Sequence, residues 1–237
     1  MENVKFYDDT HREVDFNDIS ITWNTRTAYP LEHIPNAKIP SIGGHPKNII
    51  LLTCDSQGVL PPVAKLSKEQ ALYFFQSGFT SYKPLNNGRQ MNLNPSFSAC
   101  FSEAFLPRHP TLYTELLAKK IQKNPHCNVW LVNTGWINGK HEEGQRIPLK
   151  LTRAIIDAIH SGELDKVEYT ESDVFKLKIP KAVHGVPSEI LDPSKTAKDK
   201  DAFKASITTL AEAFIKNFEK YKDETSKKLV AAGPQLK

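Results

Sequence analysis

The run Val129-Trp130-Leu131-Val132-Asn133-Thr134-Gly135-Trp136 constrains this chain most. Four apolar residues in succession, closed by Asn-Thr-Gly, predict a short buried strand followed by a glycine-containing loop. The chain continues through Arg146-Ile147-Pro148-Leu149-Lys150 into Thr152-Arg153-Ala154-Ile155-Ile156-Asp157-Ala158-Ile159, which has helical periodicity. The apolar face of that helix is expected at Ile155, Ile156 and Ile159, with Gly162 as its stop. A buried strand, a loop and a helix opened by basic and hydroxyl residues put donors at a helix mouth. Anions bind well there, because the first backbone N–H groups lack partners and the dipole is positive.

A second run, Asn48-Ile49-Ile50-Leu51-Leu52-Thr53-Cys54-Asp55, follows the turn-rich Gly43-Gly44-His45-Pro46-Lys47. It is short and bounded by turn signals, so a strand buried on both faces is expected. Asp55 at its end is expected to cap a turn, with cation binding as the alternative. No Gly-x-x-x-x-Gly-Lys-Ser/Thr phosphate loop occurs in the chain; Gly139-Lys140 is followed by His141. Pro61-Pro62 ends this unit. Ser67 and Gln70 then form a capping box for a helix whose apolar face is Ala71, Leu72, Phe74 and Phe75, stopped by Gly78. Pro110 starts a further helix with Leu112, Tyr113, Leu116 and Leu117 on one face. Strands and helices interleave, which gives the class α/β, with a mixed α+β sheet.

Other segments are less regular. Val4, Phe6, Val14 and Phe16 flank Asp8-Asp9-Thr10 and suggest a short hairpin. Residues 79–96 hold four asparagines, a glycine and two prolines, which predicts a long loop of the binding or lid kind. Phe97-Ser98-Ala99-Cys100-Phe101 resumes a strand-like run. Residues 174–180 alternate like an edge strand ended by Pro180. Residues 192–201 read as a charged linker. The last helix, about 201–222, carries Phe203, Ile207, Leu210, Phe214, Ile215 and Phe218 as a stripe that packs on the body.

Composition narrows the function classes. Hydrophobic residues are 39% and charged residues 24%, ordinary for a globular protein. A net charge of +4, without a dense Lys/Arg stripe interleaved with aromatics, gives no argument for nucleic acid. No apolar run reaches the roughly 20 residues of a membrane helix, and the N-terminus has no apolar signal region. Cys54, Cys100 and Cys127 lack metal-ligand spacing and are expected as small buried hydrophobes in a reducing, cytosolic compartment.

Arg26 lies in Asn24-Thr25-Arg26-Thr27-Ala28-Tyr29-Pro30, a polar stretch that Pro30 keeps out of helix. On its own it reads as a surface residue or structural ion pair; the functional alternative is a bidentate grip on phosphate. Taken together, several runs resemble the ATP-dependent phosphoenolpyruvate carboxykinases. They are Asn24-Thr25-Arg26 with Tyr29-Pro30, Ile34-Pro35-Asn36-Ala37, the segment from Gly43 through Asp55, and Gly58-Val59-Leu60-Pro61-Pro62-Val63. Further along come Phe97-Ser98-Ala99-Cys100-Phe101, Leu131-Val132-Asn133-Thr134-Gly135-Trp136, the Thr152 to Ile159 helix, and the tail Ala231-Ala232-Gly233-Pro234.

The resemblance covers only the C-terminal part of that family. It implies a nucleotide-binding domain of the phosphoenolpyruvate carboxykinase fold lacking its phosphate-loop portion. Residues 1–237 form one partial domain on this reading, with 1–162 as a core bearing nucleotide-contact segments and 163–237 as a C-terminal strand, linker and helix. The family converts oxaloacetate and ATP to phosphoenolpyruvate, CO2 and ADP in gluconeogenesis, as a cytoplasmic lyase that is both decarboxylase and kinase. The resemblance implies that Arg26 reaches the transferred phosphate and the substrate, offsetting negative charge. It implies that Arg146 and Ile147 border adenine and ribose, and that Thr152 contacts the nucleotide. ATP is thus the expected ligand; Mg2+ or Mn2+ is implied too, with its ligands upstream of this fragment.

Departures from the family pattern are Trp23 in place of glutamate, Gln145 in place of lysine, Glu103 and Arg108 at usually small or apolar positions, and the Asn-rich loop. The expectation is a fragment inactive alone. The alternatives are a non-catalytic module that pairs with an N-terminal half or a full-length relative, and a truncated product with no function of its own.

Overall fold

The computed structural model describes residues 1–237 except 9, 11, 16, 19, 22–24, 82, 85–90, 225, 226 and 237, and except the side chains of 83, 84, 91, 92, 223 and 224. In chain order the first elements are β1 (Lys5–Phe6), β2 (Val14–Asp15), β3 (Asn48–Thr53), β4 (Val63–Lys65) and α1 (Lys68–Ser77). Then come β5 (Phe79–Thr80), β6 (Lys83–Pro84), β7 (Met91–Asn92), β8 (Ser96–Phe97), α2 (Pro110–Lys123) and β9 (Asn128–Asn133). After these follow β10 (Trp136–Ile137), β11 (Gln145–Arg146), α3 (Leu149–Ser161), β12 (Tyr169–Glu171) and β13 (Lys178–Pro180). The chain closes with α4 (Pro193–Thr196), α5 (Lys200–Phe218) and α6 (Lys227–Val230).

Contacts divide the chain into two compact units, Met1–His45 with Tyr82–Leu93, and Pro46–Ser81 with Asn94–Lys237. In the first, β1 and β2 form the expected N-terminal hairpin, pairing Lys5 with Asp15 and Phe6 with Val14. Also in this unit, β6 and β7 pair antiparallel inside the stretch expected to be loop.

The second unit is built on a mixed five-stranded sheet, ordered β12-β13-β4-β9-β3. β3 and β9 are parallel; the other pairs are antiparallel. β9 is buried on both faces as its composition requires. Val129 and Leu131 face one core with α1 and α5, while Trp130 and Val132 face another with α3. This α/β/α layering is the α/β class with a mixed sheet expected from the sequence.

Ser67 caps α1 as expected: its Oγ accepts from the Gln70 N–H at 3.1 Å, and Gln70 Oε1 accepts from the Ser67 N–H at 3.0 Å. Gly78 ends the helix in the left-handed region at φ 58°. Replacing Ser67 with Ala is expected to cost about 1 kcal/mol, read as a lower urea midpoint at unchanged slope.

Several expectations are corrected. β3 is not fully buried on both faces: among the described residues it is the end strand of the sheet, and Leu52 is 58% exposed. The strand in 174–180 is not an edge: β13 lies between β12 and β4. The 79–96 loop has a paired stem, with Phe79 opposite Phe97 and Thr80 opposite Ser96. After Phe97 the strand stops, and Ala99–Phe101 is a 3-10 turn. α2 does start at Pro110, but it buries Thr114 and Ile121 and leaves Leu112 and Leu116 largely exposed. α1 buries Tyr73 more deeply than Leu72 or Phe75. The 192–201 linker contains α4, capped by Asp192, and Asp199 caps α5.

The stripe on α5 holds at Leu210, Phe214 and Phe218, whereas Ile215 is 39% exposed and Ala211 takes a buried place instead. Phe214 sits at the middle of an aromatic cluster, 5.0 Å from Phe79, 5.1 Å from Phe97 and 5.4 Å from Phe74 between ring centroids. Such offset and edge contacts add to the stabilisation from burial. Cys54 and Cys100 are buried as expected, while Cys127 is half-buried; all three are free thiols. No helix among the described residues is long and apolar enough to cross a membrane.

Candidate functional site

Two parallel strands, β3 and β9, end side by side, and the chain after each is tied to the other. Asn133 Oδ1 accepts from the backbone N–H of Asp55 and of Gly135, both at 2.9 Å, and its Nδ2 donates to the Leu60 carbonyl at 2.8 Å. Asp55 is fully buried. Its Oδ1 accepts from Gln57 N–H at 2.8 Å, and its Oδ2 from Val59 and Leu60 N–H at 2.7 and 2.8 Å. Asp55 is therefore a turn cap, the expected role. Burial pushes its carboxyl up, and the three N–H donors oppose that shift.

Gly135 is needed because the chains touch there. A Cβ at this position would stand 2.2 Å from the Asp55 carbonyl oxygen and 2.4 Å from its nitrogen. Past Gly135 the chain forms a hairpin where only a loop was expected. β10 pairs with β11, Trp136 opposite Arg146 and Ile137 opposite Gln145. Its loop spans 138–144, so Asn138-Gly139 opens it without forming the two-residue turn that such a dipeptide signals, and little in the sequence marks the pairing. Ile147 N–H donates to the Gly135 carbonyl at 2.8 Å, which closes the hairpin against the strand end and delivers the chain into α3.

This local fold presents Arg146. Its guanidinium carbon lies 5.3 Å from the centroid of the Trp136 ring, and its Nε donates to the Thr134 carbonyl at 3.3 Å. An arginine over an indole and tied to a carbonyl has fewer conformations to lose when it binds. Arg146 remains exposed. Beneath it, burial pushes the Cys54 thiol up, and the Arg146 charge partly offsets the effect. Trp136, Thr134 and Cys54 are not distinguishable as site residues from the sequence, because the hairpin register brings Trp136 to Arg146 and the β3–β9 pairing sets Cys54 and Thr134 side by side.

Ile147 and Thr152 flank Arg146 along the chain, but both are buried, at 5% and 9% exposure. Pro148 precedes α3 without a side-chain cap, and the first turn of α3 has no acidic residue. That leaves the helix mouth positive, as expected. Lys150 and Arg153 are exposed on the same helix. The arrangement suits a flat or anionic ligand laid against an arginine at a helix start.

Arg26 lies in the first unit. It is exposed, and its carbonyl accepts from the Glu2 N–H at 2.9 Å. Trp23, and residues 82 and 85–90 of the Asn-rich loop, fall outside the described residues. Among the described residues no three or more His, Cys, Asp or Glu side chains are grouped so as to hold a metal ion.

Comparison with known proteins extends these observations. A family model described as phosphoenolpyruvate carboxykinase matches residues 1–189. The phosphoenolpyruvate carboxykinase (ATP) of Dictyostelium discoideum is 51% identical over 236 residues, covering all of this chain and 42% of the relative. That of Candida glabrata is 48% identical over 239 residues, covering 44% of the relative. Phosphoenolpyruvate carboxykinase (ATP) 1 of Urochloa panicoides is 52% identical over 243 residues, covering 39% of it. The chain thus spans about two-fifths of the length of the curated relatives it matches, in their C-terminal part. With the family match running through the strand pair, the hairpin and α3, the chain belongs to the phosphoenolpyruvate carboxykinase (ATP) family.

Proposed function

We propose that this chain supplies the nucleotide-gripping C-terminal part of an ATP-dependent phosphoenolpyruvate carboxykinase, with all of residues 1–237 belonging to that enzyme's C-terminal nucleotide-binding region. The reaction is oxaloacetate plus ATP to phosphoenolpyruvate, CO2 and ADP, in a cytosolic setting. The observation that carries this reading is the presentation of Arg146 over Trp136 at the mouth of α3, within a chain about half identical to such enzymes.

In this reading Arg146 covers the adenine and ribose. Ile147, being buried, shapes the wall and anchors the hairpin. Thr152 is also buried, so its part is to hold the first turn of α3 in place beside the nucleotide. Arg26 offsets the charge of the transferring phosphate; that role rests on the family resemblance alone. Loose phosphoryl transfer is driven by positioning and charge offset. By the family resemblance, the remaining phosphate grip and the Mg2+ or Mn2+ ligands would come from the part of the family's polypeptide that this chain does not match. Turnover by the chain alone is accordingly not expected.

The test is ATP and adenosine titration of the purified chain, with Arg146→Ala and Arg26→Ala in parallel. Arg146→Ala is expected to weaken both ligands by about tenfold, the scale of one charge-assisted contact. Arg26→Ala is expected to weaken ATP more than adenosine. Unchanged binding in Arg146→Ala would overturn the site. Equal losses for both ligands in Arg26→Ala would overturn its phosphate role.

A further inference from the structure

A cavity of about 330 Å3 lies between the loop of the β10–β11 hairpin and the start of α5. Small-molecule pockets run from about 300 to 1,000 Å3, so it can hold a small metabolite. Asn138, Gly139, Lys140 and Glu143 of the loop form one wall, Gln57 joins them, and residues between Ala197 and Ser206 form the other wall. Arg26, Arg146, Ile147 and Thr152 do not line it.

The loop wall is held by its own backbone. His141 N–H donates to the Ser56 carbonyl at 2.9 Å, and Glu143 N–H to the Lys140 carbonyl at 2.9 Å. A Cβ on Gly58 would stand 2.2 Å from the Gly139 carbonyl oxygen, so the two turns are in close contact. The wall is thus formed before any ligand arrives, which lowers the entropy cost of binding.

Polar groups in these walls are unspent. Asn138 Oδ1 is buried and accepts no hydrogen bond. Ser206 is 4% exposed, and its hydroxyl has no hydrogen-bond partner among the described residues. Buried polar groups are ordinarily hydrogen-bonded, so these two suit a polar occupant. Lys140, Glu143 and Lys198 form no ion pair among the described residues. The Asp199 carboxylate, by contrast, is spent on the N–H groups of Asp201 and Ala202.

Free groups of both signs select the ligand class. A simple anion would meet Glu143 and give Asn138 Oδ1 no donor. A simple cation would leave both lysines unmatched. We infer that this cavity binds a free α-amino acid. Its ammonium donates to Asn138 Oδ1 and the Glu143 carboxylate, and its carboxylate accepts from Lys140 and Lys198. Ala202 and Phe203 give its side chain an apolar wall. The loop it touches joins the two strands that seat Arg146 on Trp136, so the ligand regulates nucleotide affinity, and the coupling is reciprocal. Binding stands on the cavity alone; the coupling rests on the reading that Arg146 grips the nucleotide.

The test is calorimetric titration of the 237-residue chain with L-leucine, chosen for its apolar side chain, and with two fragments of it. These are 4-methylpentanoate, which lacks the ammonium, and isoamylamine, which lacks the carboxylate. Expected is saturable L-leucine binding, with each fragment about tenfold weaker. Glu143→Gln should weaken L-leucine and the amine but spare the carboxylate. Lys140→Gln should weaken L-leucine and the carboxylate but spare the amine. Both positions are exposed, so both variants should keep the parent circular dichroism. No saturable L-leucine binding, a fragment that binds as tightly as L-leucine, or indifference to both variants overturns the site. Saturating L-leucine should tighten ATP binding about fivefold. Unchanged ATP affinity with L-leucine bound overturns the coupling. Failure of ATP to bind while L-leucine still does overturns the nucleotide reading and supports the amino-acid site independently.

Discussion

Gly135→Ala is expected to destabilise the chain by about 3 kcal/mol and to abolish nucleotide binding with it. The added Cβ would fall 2.2 Å from the Asp55 carbonyl oxygen. The obstacle is backbone, so no side-chain rotation relieves it. Either the end of β3 or the start of β10 must move. Both are held, because Thr134 N–H donates to the Thr53 carbonyl at 2.9 Å and Trp136 N–H to the Asp55 carbonyl at 2.8 Å. Separation breaks those bonds and carries Trp136 away, and with it the support of Arg146. A melting temperature lower by about 10 °C and loss of ATP binding are the expected readouts. A variant that melts within a degree of the parent would contradict the close approach.

Asp55→Ala is expected to cost about 4 kcal/mol, because three buried backbone N–H groups lose their acceptor at once. Asp55→Asn should cost about half as much. Its single carbonyl oxygen can take the Val59 and Leu60 donors, leaving an NH2 facing Gln57. The contrast separates hydrogen bonding from mere volume. Urea denaturation of the two variants measures it, and equal losses would contradict the capping role. The disturbance should spread to Asn133, which holds the Asp55 N–H and the Leu60 carbonyl on the adjoining strand.

Much of the fold was legible because the signals were local. The Ser67–Gln70 box, Pro110 at a helix start and Gly162 in a left-handed stop each act within a few residues, and each stands where the sequence put it. β9 was legible for a related reason: four apolar residues in succession have no solvent face to offer. The N-terminal hairpin followed from alternation alone. The residues of the candidate site were named from family likeness, and their assigned contacts remain a proposal.

The misreadings share a different cause. The composition of β3 is that of an inner strand, but the sheet order leaves it at the end. The chain beyond 174 alternates as an edge strand would, yet β12 arrives from earlier in the chain to cover it. On α2, Leu112 and Leu116 carry the hydrophobic periodicity, while contact with α1 and the turn at Ala99–Phe101 selects the face of Thr114 and Ile121. In each case the outcome depends on which distant element packs alongside.

The sequence by itself determined the local units: where the capped helices begin and stop, and that β9 must be buried. These depend on dihedral preferences, capping and periodicity, which operate over a few residues. Only the tertiary structure decided strand order, the seating of Arg146 on Trp136, and the meeting of Asp55 with Gly135. Those depend on pairing residues ten or more positions apart, where register and close packing, not composition, choose the partner.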